Sequence, residues 1–345
     1  MFILRNCKPS QIIPAFELSS GVACHGYSEL LQRKMVDFAA DESFGGASKK
    51  LKEHYRIDVP VSSIRNITLL HANNMLNNML NEVKEILDVY SKRHRHKLKP
   101  GVRQIVTETD GCMLPIVESR LGAGDKRKKK KLMYKEARLC LSYKQGDVNP
   151  IFAATMQDTN TTGKYLRLTA QKAGLGINSK VHAVGDGAQW IVKQLDDKFG
   201  DIDQANYLID LYHMSEYLAA ANAMLSNDEK KQKYLIKRQT DLLKDGEYLK
   251  VLRYFENYNN FADDDNAVKD CYRYMVNRPE QFAYKEALEN DLPIGSGKVE
   301  GGHRHVIQSR LKISGAWWLH ENADSMLALR TIRANNDWDK YWALQ

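Results

Sequence analysis

The spacing of apolar residues changes period twice along this chain, and each change marks a change of secondary structure. From Tyr27 to Met79 the apolar positions recur at helical spacing: Leu30, Leu31, Met35, Val36 and Phe38, then, after Asp41-Glu42-Ser43, Phe44, Ala47, Leu51 and Tyr55. Residues 104–110, 112–117, 137–143, 180–186 and 205–210 instead form short alternating or β-branched runs that read as strands. Gly111 reads as the turn between the first two, and helical stretches at 163–173 and 190–199 separate the later ones. From Met214 to about Asn290 the period is helical again, and helices at 298–312 and 322–335 close the chain. The pattern specifies a mixed α/β sheet with helical segments before, within and after it.

Within the first helical block, Arg56-Ile57-Asp58-Val59-Pro60 is a tight turn before a helix that starts near Ser62. Three short helices with such a turn resemble a helix-turn-helix, in which Ser62, Ser63, Arg65 and Asn66 occupy the first turns of a DNA-reading helix. An ordinary helical subdomain has the same pattern. Leu76, Met79, Val83, Ile86 and Tyr90 continue the helix at coiled-coil spacing, but Asn73, Asn74, Asn77 and Asn78 favour packing within the chain over a long free coil. The stretch 97–101, with Pro100, reads as a boundary.

Charge is concentrated where it bears on partners. The chain carries +8 at neutral pH, and from Lys126 to Lys131 every residue is basic, after a first basic cluster between Lys92 and Arg103. Such runs are solvated loops or phosphate-tracking surfaces, and two around one segment favour the latter, with Lys128, Lys129, Lys130 and Lys131 as candidate DNA contacts. The five cysteines form no C-x-x-C pair, so neither a disulfide framework nor a zinc site is expected. No apolar stretch approaches the ~20 residues of a membrane span, and no signal peptide is read at the start, so the expected location is cytoplasmic and nucleoid-associated, with no membrane partner.

Three acids stand out. Thr109-Asp110-Gly111 and Gly185-Asp186-Gly187 place an acid and a glycine at the ends of the first and fourth strands, where adjacent strands of one sheet bring side chains together. A lone Asp-Gly is a common turn. Ile294-Gly295-Ser296-Gly297-Lys298-Val299-Glu300 is a tight turn into a helix, with Glu300 on its first or second turn, and it lacks the full phosphate-loop pattern. Three carboxylates suit a hard cation such as Mg²⁺, and two such ions serve phosphodiester chemistry by activating the attacking oxygen and stabilising the leaving one.

Taken in order, Thr109-Asp110-Gly111, the segment Gly185 to Ile191, Asp210-Leu211-Tyr212-His213 and the segment Ile294 to Glu300 resemble the motifs of bacterial insertion-sequence DDE transposases of the Kra type, related to the Mutator-like group. The tail matches as well, in Arg310-Leu311-Lys312, Gly315-Ala316-Trp317-Trp318, residues 326–330 and residues 338–342, so the resemblance runs from about Ser43 onward. It implies a ribonuclease H-like core with Asp110, Asp186 and Glu300 as catalytic residues holding two Mg²⁺ ions, for which Mn²⁺ substitutes. Asp210 and His213 match an accessory D-x-x-H motif, with His213 orienting DNA or a nearby acid. The spacing of 114 positions from Asp186 to Glu300 exceeds one strand and a helix, which implies a helical insertion. Trp190, Trp317 and Trp318 are candidates to stack on an extruded base, or else core anchors.

The expected organisation is an N-terminal remnant (1–27), a helical DNA-binding and spacer region (28–100), a first core part (101–213), the insertion (214–290) and a C-terminal core part carrying Glu300 (291–345). Longer relatives carry an upstream, often cysteine-rich segment, so a truncated copy or half of a split reading frame is expected. The expected function is a transposase acting on double-stranded DNA, both element terminal repeats and target, as a homodimer or higher oligomer. The alternatives are a nuclease of the same fold that does not join strands, and a domesticated DNA-binding repressor.

Overall fold

In the computed structural model the described residues are 3–5, 12–14, 22–23, 26–90, 100–119, 130–202, 204–259 and 266–344. Most of the first basic cluster, residues 92–99, most of the run from Lys126 to Lys131, and most of segment 1–27 lie outside them. Near the start, Ile3–Arg5 pairs with Ile12–Pro14 and Val22–Ala23 with Tyr27–Ser28, both antiparallel.

Three helices follow: α1 (Glu29–Asp41), α2 (Phe44–Tyr55) and α3 (Val61–Tyr90). Ser28 and Ser43 cap the first two by accepting the N–H groups of Leu31 and Gly46, which satisfies donors that a helix start leaves open. Arg56 ends α2 in the left-handed conformation, at φ 57°. The buried positions Ile64, Ile67, Thr68, His71, Ala72, Met75, Met79 and Val83 line one side of α3 at steps of three and four. That side packs within the chain, chiefly against α13 (His320–Ala334).

The sheet has five strands in the order β3-β2-β1-β4-β5. They are β1 (Gln104–Ser119), β2 (Lys130–Lys144), β3 (Ile151–Thr155), β4 (Lys180–Gly185) and β5 (Ala205–Ile209). The β1/β2 and β2/β3 pairs are antiparallel, and β1/β4 and β4/β5 are parallel. Crossover helices α4 (Thr159–Lys172) and α5 (Gln189–Phe199) connect the parallel strands.

The expected turn at Gly111 is corrected here. β1 runs unbroken through Asp110 and Gly111, with Gly111 opposite Arg138, so residues 104–110 and 112–117 are one strand. Asp-Gly is a turn signal only when nothing holds it extended, and β2 pairs with β1 as far as Ser119. Gly111 instead makes room: a Cβ there would run into the Glu136 carboxylate. The strand β3, absent from the sequence reading, restores the count.

Between β5 and the final helices lie α6 (Leu211–Leu225), α7 (Glu229–Lys244), α8 (Tyr248–Asn259), α9 (Ala267–Val276) and α10 (Tyr284–Glu289). Then α11 (Gly297–Gly302) runs into a π-helical stretch, His303–Gln308, and a last turn, α12 (Ser309–Leu311), before α13 and α14 (Trp338–Trp342). The helices before residue 100 share one apolar core with the sheet and these C-terminal helices. Arg310 donates to Ala39 O and Arg330 to Ala40 O, so the end of α1 is capped from across the molecule.

Candidate carboxylate site on the central strands

β1 and β4 pair in parallel from Gln104↔Lys180 to Glu108↔Val184. Two residues past that last pair stand Asp110, still within β1, and Asp186, directly after β4. Equal register on neighbouring parallel strands, about 4.8 Å apart, brings the two acids to the same level. The Asp110 side chain is 44% exposed, and its Oδ1 accepts the N–H of Gly111 at 2.7 Å. Asp186 Oδ1 accepts the Ala188 N–H at 2.9 Å, which shapes the turn into α5.

The helix carrying Glu300 crosses β1 on the Asp110 face. Its start is gripped by two carboxylates. Asp210 accepts the N–H of Ser296 at 2.8 Å, together with the Ser296 hydroxyl, and Glu108 accepts the N–H of Val299 at 2.9 Å. Asp210 also caps α6 through Tyr212 N–H at 2.7 Å, so this acid ties two helix starts together. Glu108, not singled out in the sequence, is 1% exposed. Burial pushes its carboxyl up to about 7, against the opposing pull of the Val299 N–H, the Tyr143 hydroxyl and Lys298.

One turn beyond Glu300, His303 is buried, with Nε2 3.3 Å from Asp110 Oδ2. Neither ring nitrogen has a well-aligned hydrogen-bond partner. Burial opposes the imidazolium, but Asp110 and Cys112 beside it outweigh that effect and raise His303 to about 9. Glu300 itself is 71% exposed and paired with Arg304 at 2.6 Å. The register thus sets Asp110 and Asp186 at one level of neighbouring strands, while Glu300 is turned to Arg304 on the exposed side of its helix. Among the described residues no three His, Cys, Asp or Glu side chains are close enough to hold a metal ion.

Helices from the stretch between β5 and α11 wall the Asp186 side. Tyr274 on α9 donates its hydroxyl to Asp186 O at 2.7 Å, and Arg278 donates to Gly187 O at 3.0 Å. Gly187 has φ +82°, and a Cβ there would strike the Tyr274 hydroxyl. His213 on α6 lies against the rings of Tyr217 and Tyr274, with Nδ1 3.3 Å from Glu216 Oε2. It reaches the site through Tyr274, not by touching Asp186.

No protein-family model matches the sequence, and no curated protein matches it. Among solved structures, the chain is similar to the Drosophila P element transposase strand transfer complex, at 10% identity and a TM-score of 0.33, over 94% of this chain and 82% of that one.

The candidate DNA contacts divide by exposure. Ser62, Arg65 and Asn66 are exposed at the start of α3 and Ser63 is half-buried. Lys130 and Lys131 are exposed at the end of the β1/β2 ribbon, whereas Lys128 and Lys129 lie outside the described residues. Trp317 is 59% exposed. Trp190 is partly buried beneath the Arg138 guanidinium, 5.3 Å from its ring centre. Trp318, 5% exposed, packs on Phe44 and Arg310 and donates its indole N–H to Leu311 O, so of its two readings it takes the core anchor and is closed to a base. No described helix is long and apolar enough to cross a membrane.

Proposed function

We propose that this chain is a DNA transposase with a ribonuclease H-like core, in which Asp110, Asp186 and Glu300 serve phosphodiester cleavage and strand transfer at element ends. The observation that supports this most is the equal register of Asp110 and Asp186 on adjacent parallel strands, with the Glu300 helix laid over β1 beside them. The sheet order, with an antiparallel β1-β2-β3 half and a parallel β1-β4-β5 half, fits that core.

The donor set is all oxygen, as Mg²⁺ or Mn²⁺ requires. Bound at these acids, a pair of Mg²⁺ ions supplies Lewis-acid activation of the attacking and leaving oxygens. The chain's own part is placement. Glu108 and Asp210 hold the start of α11, and His303 sits against Asp110. Glu300, one helical turn from His303, is held among the described residues by Arg304 alone and is free to turn once that exposed pair opens. The exposed start of α3 and the basic ribbon end supply contacts to duplex DNA, and a homodimer or higher oligomer spans two element ends.

The test is cleavage and strand transfer on supercoiled donor DNA carrying candidate ends, with Mg²⁺ or Mn²⁺. Asp110→Ala, Asp186→Ala and Glu300→Ala each abolish cutting and retain binding in a mobility shift. Wild-type cutting by any one variant removes that acid from the site, and cutting without joined product assigns a nuclease. Binding to the ends with no cutting at all assigns the repressor.

A further inference from the structure

The β1/β2 ribbon outruns the sheet. β4 pairs with β1 only through Glu108, and β3 pairs with β2 only from Arg138 to Ser142. Residues 111–119 and 130–137 therefore form a two-stranded arm, which an isolated β-bridge joins at Ile116 to Trp318. One face of the arm is in the core through Leu114, Ile116 and Ala137, all fully buried. On the other face stand Met113, Leu132 and Tyr134, exposed by 48%, 44% and 63%. Direct cross-strand pairs put them on that same side: Met113↔Glu136, Pro115↔Tyr134 and Val117↔Leu132. The face continues at its root into Arg138, stacked on Trp190, four residues from Asp186, and at its far end into the exposed Lys130.

We infer that this face, on the side of the ribbon opposite the Asp110 side chain, is a platform for an unpaired DNA strand. Its apolar surface bears few donors or acceptors, so it cannot read base edges in a groove. It does suit base faces, which stack on aromatic and apolar side chains irrespective of sequence. Lys130, at the far end of this face, supplies positive charge that a phosphate backbone needs, and Lys131 stands beside it on the ribbon's other side. Glu118 and Glu136 do not offset it, being paired with Lys135 and Arg138. An unpaired strand is the form DNA takes at a cut end, and the arm leaves the sheet at Asp110, so the inference rests on the strand-cleaving reading above.

Fluorescence anisotropy of labelled oligothymidylate and of a matched duplex, with the full chain, tests it. Tyr134→Ser combined with Leu132→Ser weakens single-strand binding about tenfold or more and leaves duplex binding and melting temperature unchanged. Tyr134→Phe keeps the wild-type affinity, because stacking needs the ring and not the hydroxyl. Lys130→Ser with Lys131→Ser weakens both ligands and flattens the salt dependence. Wild-type single-strand affinity in the Tyr134→Ser, Leu132→Ser protein overturns the platform, as does an equal loss on duplex. A change from dimer to monomer in sedimentation with single-strand affinity intact also overturns it, assigning the face to a second copy of the chain. Asp110→Ala separates the two readings: it binds oligothymidylate like wild type. A wild-type protein that binds single strands but never cuts DNA leaves the platform standing and removes the transposase.

Discussion

Glu300 and Arg304 pose the question of reach at the scale of single residues. Their ion pair is exposed on both sides, and such pairs are worth at most about 1 kcal/mol. Releasing Glu300 from it is therefore a small step. In Arg304→Ala the half-saturating Mg²⁺ concentration for single-turnover cleavage falls, by no more than about fivefold, with the saturated rate unchanged. A higher Mg²⁺ requirement in that variant would mean that Arg304 presents Glu300 to the site. His71 gives the pH dependence. It is 5% exposed, held between Tyr341 and Gln32, and burial lowers its pKa to about 4. The folded chain keeps it neutral where the unfolded chain, with an ordinary value of 6.5, takes up a proton. Its effect on stability is thus flat above about pH 6.5 and destabilising as pH falls toward 4, by up to about 1.4 kcal/mol per pH unit. Chemical denaturation of wild type and His71→Gln across that range checks the sign: the loss on acidification is smaller in the variant.

The helix from Gly297 onward shows how one element's position depends on others. Its start hangs on Glu108 from β1 and Asp210 from the end of β5, so the sheet sets where Glu300 stands. Glu108→Gln keeps an acceptor for the Val299 N–H, while Glu108→Leu removes it. The expected result is near-normal cleavage in the first and a loss of about tenfold to a hundredfold in the second, with faster hydrogen exchange at the Val299 amide and unchanged DNA binding. Equal activity in the two variants would reduce Glu108 to a packing role. Further along, Arg330 takes the carbonyls of His305 and Val306 in the π-helical stretch, together with Ala40 O of α1. One guanidinium thereby couples the first helix to the helix beside the acids.

For the whole molecule, that coupling decides what can be cut apart. A chain beginning at Gly101 retains every strand of the sheet and all three acids. It loses Ala39 O and Ala40 O, leaving the buried Arg310 and Arg330 short of acceptors, and it strips α3 from α13. An unpaired buried charge costs roughly 3–5 kcal/mol, comparable to the stability of a domain. The fragment is expected to be aggregated or partly unfolded by circular dichroism and sedimentation. A cooperative melt near that of the full chain would show that the sheet stands without α1 to α3.

Local period and residue type are enough to read most helices, four strand regions, the helical stretch after residue 213 and the two aspartates at matching levels of adjacent strands. Periodicity records which side of an element is buried, and that survives in the sequence because it depends on neighbours three, four or two residues away. What the side is buried against depends on residues far along the chain. Gly111 continues a strand because β2 holds it; Glu108 and His303 matter because one helix crosses β1; Trp318 is closed while Trp317 is open because Phe44 and Arg310 arrive from elsewhere. The register that levels Asp110 with Asp186, and the packing of α1 and α3 on the C-terminal helices, are likewise choices among long-range pairings that no local pattern encodes.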